Sequence, residues 1–153
     1  MSMRHIRRFD ENQKINFQDL ILLFAELSDD YLPVRRVFGD IDNINRNIAI
    51  ETGEYFRSKP FLLKDIVDPS DEKHKEDADS VIRYLERNKP FVINIQVNSD
   101  NKVDDTLKIL NFVKNNEDQM KYFGYQLEDF FIREGQYISG TKTSLFNLKY
   151  IPV

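Results

Sequence analysis

Apolar residues along the chain change their spacing several times, and each change predicts a change in backbone conformation. From 17 to 31, Phe17, Leu20, Ile21, Phe24, Leu27 and Tyr31 recur every three or four residues, and Leu22 and Leu23 widen the stripe. That is a helix buried over much of its girth, with Asn16 placed to cap it and Asp19 complementing the positive end of its dipole. Pro33 stops it, because proline disfavours helical geometry in the residue before it. The segment 34–58 is mixed. Gly39, Asp40, Asp42, Asn43, Asn45 and Asn47 suggest turns, and Ile48-Ala49-Ile50 with Glu54-Tyr55-Phe56 suggests a strand pair around Thr52-Gly53.

From residue 60 the pattern is more regular. A strand is expected over 60–66, then a charged turn over 68–75, then a helix whose inner face is Ala78, Val81, Ile82 and Leu85. The run Pro90-Phe91-Val92-Ile93-Asn94-Ile95-Gln96 reads as a strand at the centre of the sheet. Another helix follows, with Val103, Leu107, Leu110 and Val113 assigned to its inner face and Ile109 and Phe112 adding buried area; Asn115-Asn116 ends it. Met120, Tyr122 and Phe123 either extend that helix or begin a connection closing at Gly124. Strands over 126–138 and 145–153 complete the chain, joined by a turn at 139–143. The predicted architecture is α+β, with a mixed sheet in β-α-β-α-β-β order over 59–153, preceded by the apolar helix. The domain reading is a flexible basic arm, 1–14, and a single domain, 15–153.

Composition narrows the function classes. The chain has 153 residues, enough for one domain with a substantial core. Its net charge of -4 argues against nucleic-acid binding, which needs clustered cations facing phosphates. There is no cysteine, so disulfides, thiolate nucleophiles and thiolate zinc sites are excluded. No apolar run reaches a membrane-spanning length and the first residues lack the apolar core of a secretion signal, so a cytoplasmic location is expected. In the arm, Met3, Ile6 and Phe9 fall on one side of a helix while Arg4, Arg7 and Arg8 supply cations. That pattern suits weak contact with an anionic membrane surface, and its shortness equally suits an exposed arm.

Candidate chemistry is sparse. The two histidines, His5 and His74, lie far apart, which argues against zinc and against histidine-dependent catalysis. Asp65, Asp68, Asp71, Glu72, Glu76, Asp77 and Asp79 crowd one region but lack the spacing and central glycine of a calcium loop, so a solvated charged loop is expected. Asp104-Asp105 and Glu128-Asp129 are adjacent in sequence, and adjacent side chains diverge. Gly140-Thr141-Lys142-Thr143 precedes a strand rather than the helix a phosphate loop requires. No cofactor and no catalytic role are expected. The aromatic residues Phe112, Tyr122, Phe123, Tyr125, Phe130 and Phe131 are candidates for a partner-binding surface, with core packing as the alternative.

Three segments carry a family resemblance. Val81 to Ile95, in which a helix ends in a lysine-bearing turn and enters an apolar strand containing Asn94, resembles the middle of the SepF family of bacterial cell-division proteins. Lys108-Ile109-Leu110-Asn111-Phe112-Val113 is similar to a family helix. Ile138 with Leu145 to Pro152 is similar to its closing strand. The short amphipathic N-terminal arm is another family trait; Asn115-Asn116 stand where a glycine is usual, and an apolar helix replaces the family's acidic linker. The resemblance covers about residues 59–153. It implies a non-catalytic homodimeric adaptor that binds the C-terminal tail of the tubulin-like division GTPase FtsZ while its arm touches the membrane. A different class also fits the acidic composition: a small inhibitor, immunity or phage-encoded protein that covers a basic target enzyme.

Overall fold

A computed structural model describes residues 15–27, 46–53, 59–98, 102–138 and 141–153. Helix α1 (Phe17–Glu26) begins where the Asn16 side chain accepts a hydrogen bond from the Gln18 N–H at 3.0 Å, satisfying one of the donors a helix start leaves over. Its residues Leu20, Ile21, Leu23 and Phe24 are buried, as is Leu27 just beyond it. Strands β1 (Arg46–Thr52) and β2 (Lys59–Leu62) follow, then helices α2 (Leu63–Val67) and α3 (Glu72–Glu86), strand β3 (Phe91–Asn98), helices α4 (Lys102–Asn115) and α5 (Glu117–Tyr122), and strands β4 (Tyr125–Ile138) and β5 (Thr141–Pro152).

The fold is α+β, and the five strands among the described residues form one sheet in the order β2-β1-β3-β5-β4. Every neighbouring pair is antiparallel, where a mixed sheet was expected. The connections explain the difference. The crossover through α2 and α3 carries the chain from β2 past β1 to β3, and the crossover through α4 and α5 carries it from β3 past β5 to β4. Each crossover therefore relates two strands of the same direction that do not touch, and an antiparallel strand fills each gap.

The alternation of each strand fixes two faces. Ile48 and Ile50 of β1, Phe91, Ile93, Ile95 and Val97 of β3, and Phe146, Leu148 and Tyr150 of β5 are buried on one face. Register aligns them in rows, Ile50 with Ile93 and Leu148, Ile48 with Ile95 and Phe146. On β4, the register shift between Leu127 and Asp129 inserts an extra residue, so that Leu127, Phe130 and Ile132 all pack against the same core. Phe24 of α1 lies against Phe91, Phe112 and Tyr150, with ring centroids 6.2, 5.5 and 5.6 Å away, which seats α1 on the sheet beside α4.

Four local expectations are corrected. The partner of Ile48-Ala49-Ile50 is Lys59–Leu62 on one side and β3 on the other; residues 54–56 lie outside the described residues. The expected strand 60–66 stops at Leu62, because Leu63 and Ile66, three apart, bury together on one side of the short helix α2. The charged turn becomes the first turn of α3, since the Asp71 carboxylate accepts the His74 N–H at 2.8 Å and caps it. Strand β5 starts at Thr141, inside the expected turn 139–143, of which residues 139–140 lie outside the described residues. Between α5 and β4 the chain reverses at Gly124, whose φ of +88° is open to glycine; a Cβ there would also come within 3.3 Å of Asn88 Oδ1.

Candidate interaction surface

The aromatic residues proposed for partner binding separate into three groups. Phe112, Phe123 and Tyr125 are buried, so they are corrected from surface to core. Phe112 meets Phe24, Phe123 meets Phe17 and Tyr122, and the Tyr125 ring stands edge-on to Phe91 at 4.9 Å. The Tyr125 hydroxyl donates to the Lys89 carbonyl at 2.8 Å, tying β4 to the turn after α3. Burial raises the pKa of Tyr125 and of Tyr150 well above the usual tyrosine value, so both hydroxyls stay neutral. Tyr122 and Phe130 are half-buried and pack against the same core. Only Phe131 points to the other side of the sheet, where the Arg133 guanidinium stands 5.2 Å from its ring centroid. Met3, Arg4, Ile6, Arg7, Arg8 and Phe9 lie outside the described residues.

Helix α4 supplies a surface that the sequence reading placed on the wrong side. Its buried residues are Asp105, Ile109 and Phe112, spaced four and three apart. Val103, Leu107 and Leu110 follow the same spacing half a turn away and are 71%, 57% and 40% exposed. The helix therefore carries two apolar stripes, and its inner stripe is anchored by Phe112 against Phe24. Lys108 bridges Asp104 at 2.9 Å on the flank of the outer stripe.

The second surface is the sheet face opposite the core. By register, Ala49, Asn94, Asn147 and Phe131 form a row across four strands, with Glu51, Val92, Lys149 and Asp129 in the next row. The described helices bear on the other face through Phe24, Ile66, Leu85 and Phe112. The amides in the first row are oriented by a carboxylate. Glu51 can only accept, so Asn94 turns Nδ2 toward it and donates at 2.8 Å. That leaves Asn94 Oδ1 facing Asn147, which donates its own Nδ2. Asn147 Oδ1 then points away. Asn147 is 5% exposed, and this oxygen is buried with no hydrogen-bond partner among the described residues. Lys149 at the margin reaches Glu128 at 3.2 Å.

The acidic region holds one local cluster. His74 stands between Asp65, 3.6 Å from its Nε2, and Asp71, 3.4 Å from its Nδ1, with Ser70 Oγ 3.1 Å from the latter nitrogen. The two carboxylates approach opposite sides of the ring, so they do not converge on one point where an ion would sit. Among the described residues, no three His, Asp or Glu side chains come together in a metal-holding group.

Sequence reasoning missed the outer stripe of α4 and the amide row. The stripe was visible as apolar residues but not assignable to a side. The amide row had a signal: Asn94 and Asn147 each interrupt an apolar strand. Comparison with family models, with curated proteins and with solved structures gives no match to this chain.

Proposed function

We propose that the protein is a non-catalytic protein-protein interaction module, a SepF-like dimeric adaptor of bacterial cell division working in the cytoplasm. In this reading the folded domain binds the C-terminal tail of FtsZ and the N-terminal arm makes weak contact with the membrane surface. The observation that carries it is the outer stripe of α4. Val103, Leu107 and Leu110 expose a contiguous apolar surface on a helix whose other side is already anchored in the core. An apolar patch held rigid on a helix is the usual form of a groove or ridge that receives a peptide. One further feature supports the reading: the order of elements from residue 59, with two helical crossovers followed by a hairpin.

Fluorescence anisotropy with a labelled FtsZ C-terminal tail peptide tests this. The wild-type protein is expected to bind saturably, and Leu107→Lys with Leu110→Lys to weaken binding at least about tenfold, the effect of losing roughly 1.4 kcal/mol of contact. Circular dichroism of the double variant should match wild type, since both residues face solvent. An absence of peptide binding by the folded wild-type protein overturns the reading.

A further inference from the structure

We infer that the apolar side of the N-terminal arm, Met3, Ile6 and Phe9, seats on the outer stripe of α4 and covers it until an anionic membrane draws the arm away; this rests on the adaptor reading and supplies the regulation of its binding surface. Of the large apolar side chains exposed among the described residues, Val103, Leu107 and Leu110 are the ones that share a helix face. Exposed Lys114 continues their line, and the spacings of four, three and four are those of a seam between two helices packed side by side.

The arm carries a matching order of side chains. Met3, Ile6 and Phe9 are followed by Asp10 and Glu11. An arm laid parallel to α4 sets Met3 at Val103, Ile6 at Leu107 and Phe9 at Leu110, and brings its carboxylates to Lys114. The two apolar rows are of similar length, about 9 Å on the arm and about 10.5 Å on α4 at the helical rise. Arg4, Arg7 and Arg8 then fall beside the stripe, where Asp104 stands 2.9 Å from Lys108. A carboxylate accepts from more than one donor, so an arginine joins that pair without displacing the lysine.

The tether permits this register. Phe17, at the start of α1, lies against Phe123, with 6.1 Å between ring centroids, and Phe123 closes α5, which begins at Glu117 directly after α4. The arm therefore joins the domain near the C-terminal end of α4, the end that the parallel register gives to Phe9. Helix α5 is about 9 Å long, so the root of the arm stands roughly 15 Å from the end of α4. Residues 10–14 span up to about 17 Å when extended, enough to close that distance. Tethering holds the arm at high effective concentration over the stripe, so a weak contact suffices and a bound peptide displaces it. The apolar side chains and arginines that seat the arm are also the ones an anionic surface takes, so the arm serves one or the other at a time.

The chain has no cysteine, so disulfide capture on the full chain reads the seat directly. Met3→Cys with Val103→Cys leaves the Ile6 and Phe9 contacts in place. This pair is expected to close within one chain at least about tenfold faster than Met3→Cys with Ser80→Cys, whose second site is exposed on α3. Vesicles of phosphatidylglycerol should slow the first pair to the control rate, and vesicles of phosphatidylcholine should leave it unchanged. Adding Ile6→Asp and Phe9→Asp to the first pair should also bring it to the control rate. Equal rates for the two pairs, a rate indifferent to Ile6→Asp with Phe9→Asp, or disulfides that join two chains overturn the inference; a rate indifferent to phosphatidylglycerol overturns the release by membrane. The two readings fail separately: capture in a protein that ignores the FtsZ peptide supports the cover and overturns the partner, and peptide binding without capture overturns the cover alone.

Discussion

Leu107 and Phe112 are five residues apart on α4 and lie on opposite sides of it. Phe112 is 1% exposed and touches Phe24, whereas Leu107 faces solvent. Phe112→Ala should lower stability by about 3–5 kcal/mol, because it removes a buried ring and leaves a cavity. Leu107→Ala should change it by no more than about 0.5 kcal/mol. Urea denaturation of both variants reads the contrast, and equal losses would show that the outer stripe is packed. This contrast marks the limit of legibility at the residue scale. In the run from Val103 to Val113 the apolar residues satisfy helical spacing on either side, so the period identifies a helix without choosing which side is inner. The choice belongs to Phe24, whose ring lies far away in sequence and packs on Phe112 from the core side of the helix.

Elements were more legible than their ends. The Asn16 cap, the strand at Phe91 to Val97 and the closing hairpin all follow from local pattern, since capping groups and alternation act within a few residues. The start of α3 did not. Its first turn, Glu72-Lys73-His74-Lys75, is as polar as a loop, and what makes it helical is the Asp71 carboxylate on the His74 N–H, aided by a Lys75–Glu72 contact at 3.4 Å. Asp71→Ala should therefore cost about 1 kcal/mol of stability, with Asp71→Asn or Asp71→Ser losing much less. Thermal melts of the three variants test the order, and an indifferent Asp71→Ala would mean that the cap is not what starts the helix. The bulge in β4 is another feature hidden from simple alternation: Leu127 and Phe130 would face opposite sides of a regular strand, and the extra residue brings both to the core.

At the scale of the molecule, the core is a single cluster in which α1, β3, α4 and β5 meet around Phe24, Phe91, Phe112 and Tyr150. Its tyrosines make stability sensitive to alkali. Tyr125 and Tyr150 are raised from 10.0 chiefly by burial, so between the unfolded and folded values the native state holds protons that the unfolded chain has released. The stabilisation is fully present below pH 10.0 and is lost as pH rises through and beyond it, at a rate approaching about 1.4 kcal/mol per pH unit for each tyrosine. Denaturation midpoints should fall steeply above that pH, and Tyr150→Phe should make the fall shallower; an unchanged slope in Tyr150→Phe would rule out this residue as a source.

What the sequence determined by itself is the class of the molecule: an α+β domain, acidic and without cysteine, with its most apolar strand at the centre and a helix on either side of it in the chain. Those properties come from spacing and composition, which act locally and are written in consecutive residues. The tertiary structure decided the rest. It made the sheet wholly antiparallel by sending each crossover past one strand, turned the outer stripe of α4 to solvent by docking Phe112 on Phe24, and aligned Asn94 with Asn147 across 53 residues. Pairings of that kind depend on which distant segments share a register, and no local period encodes it.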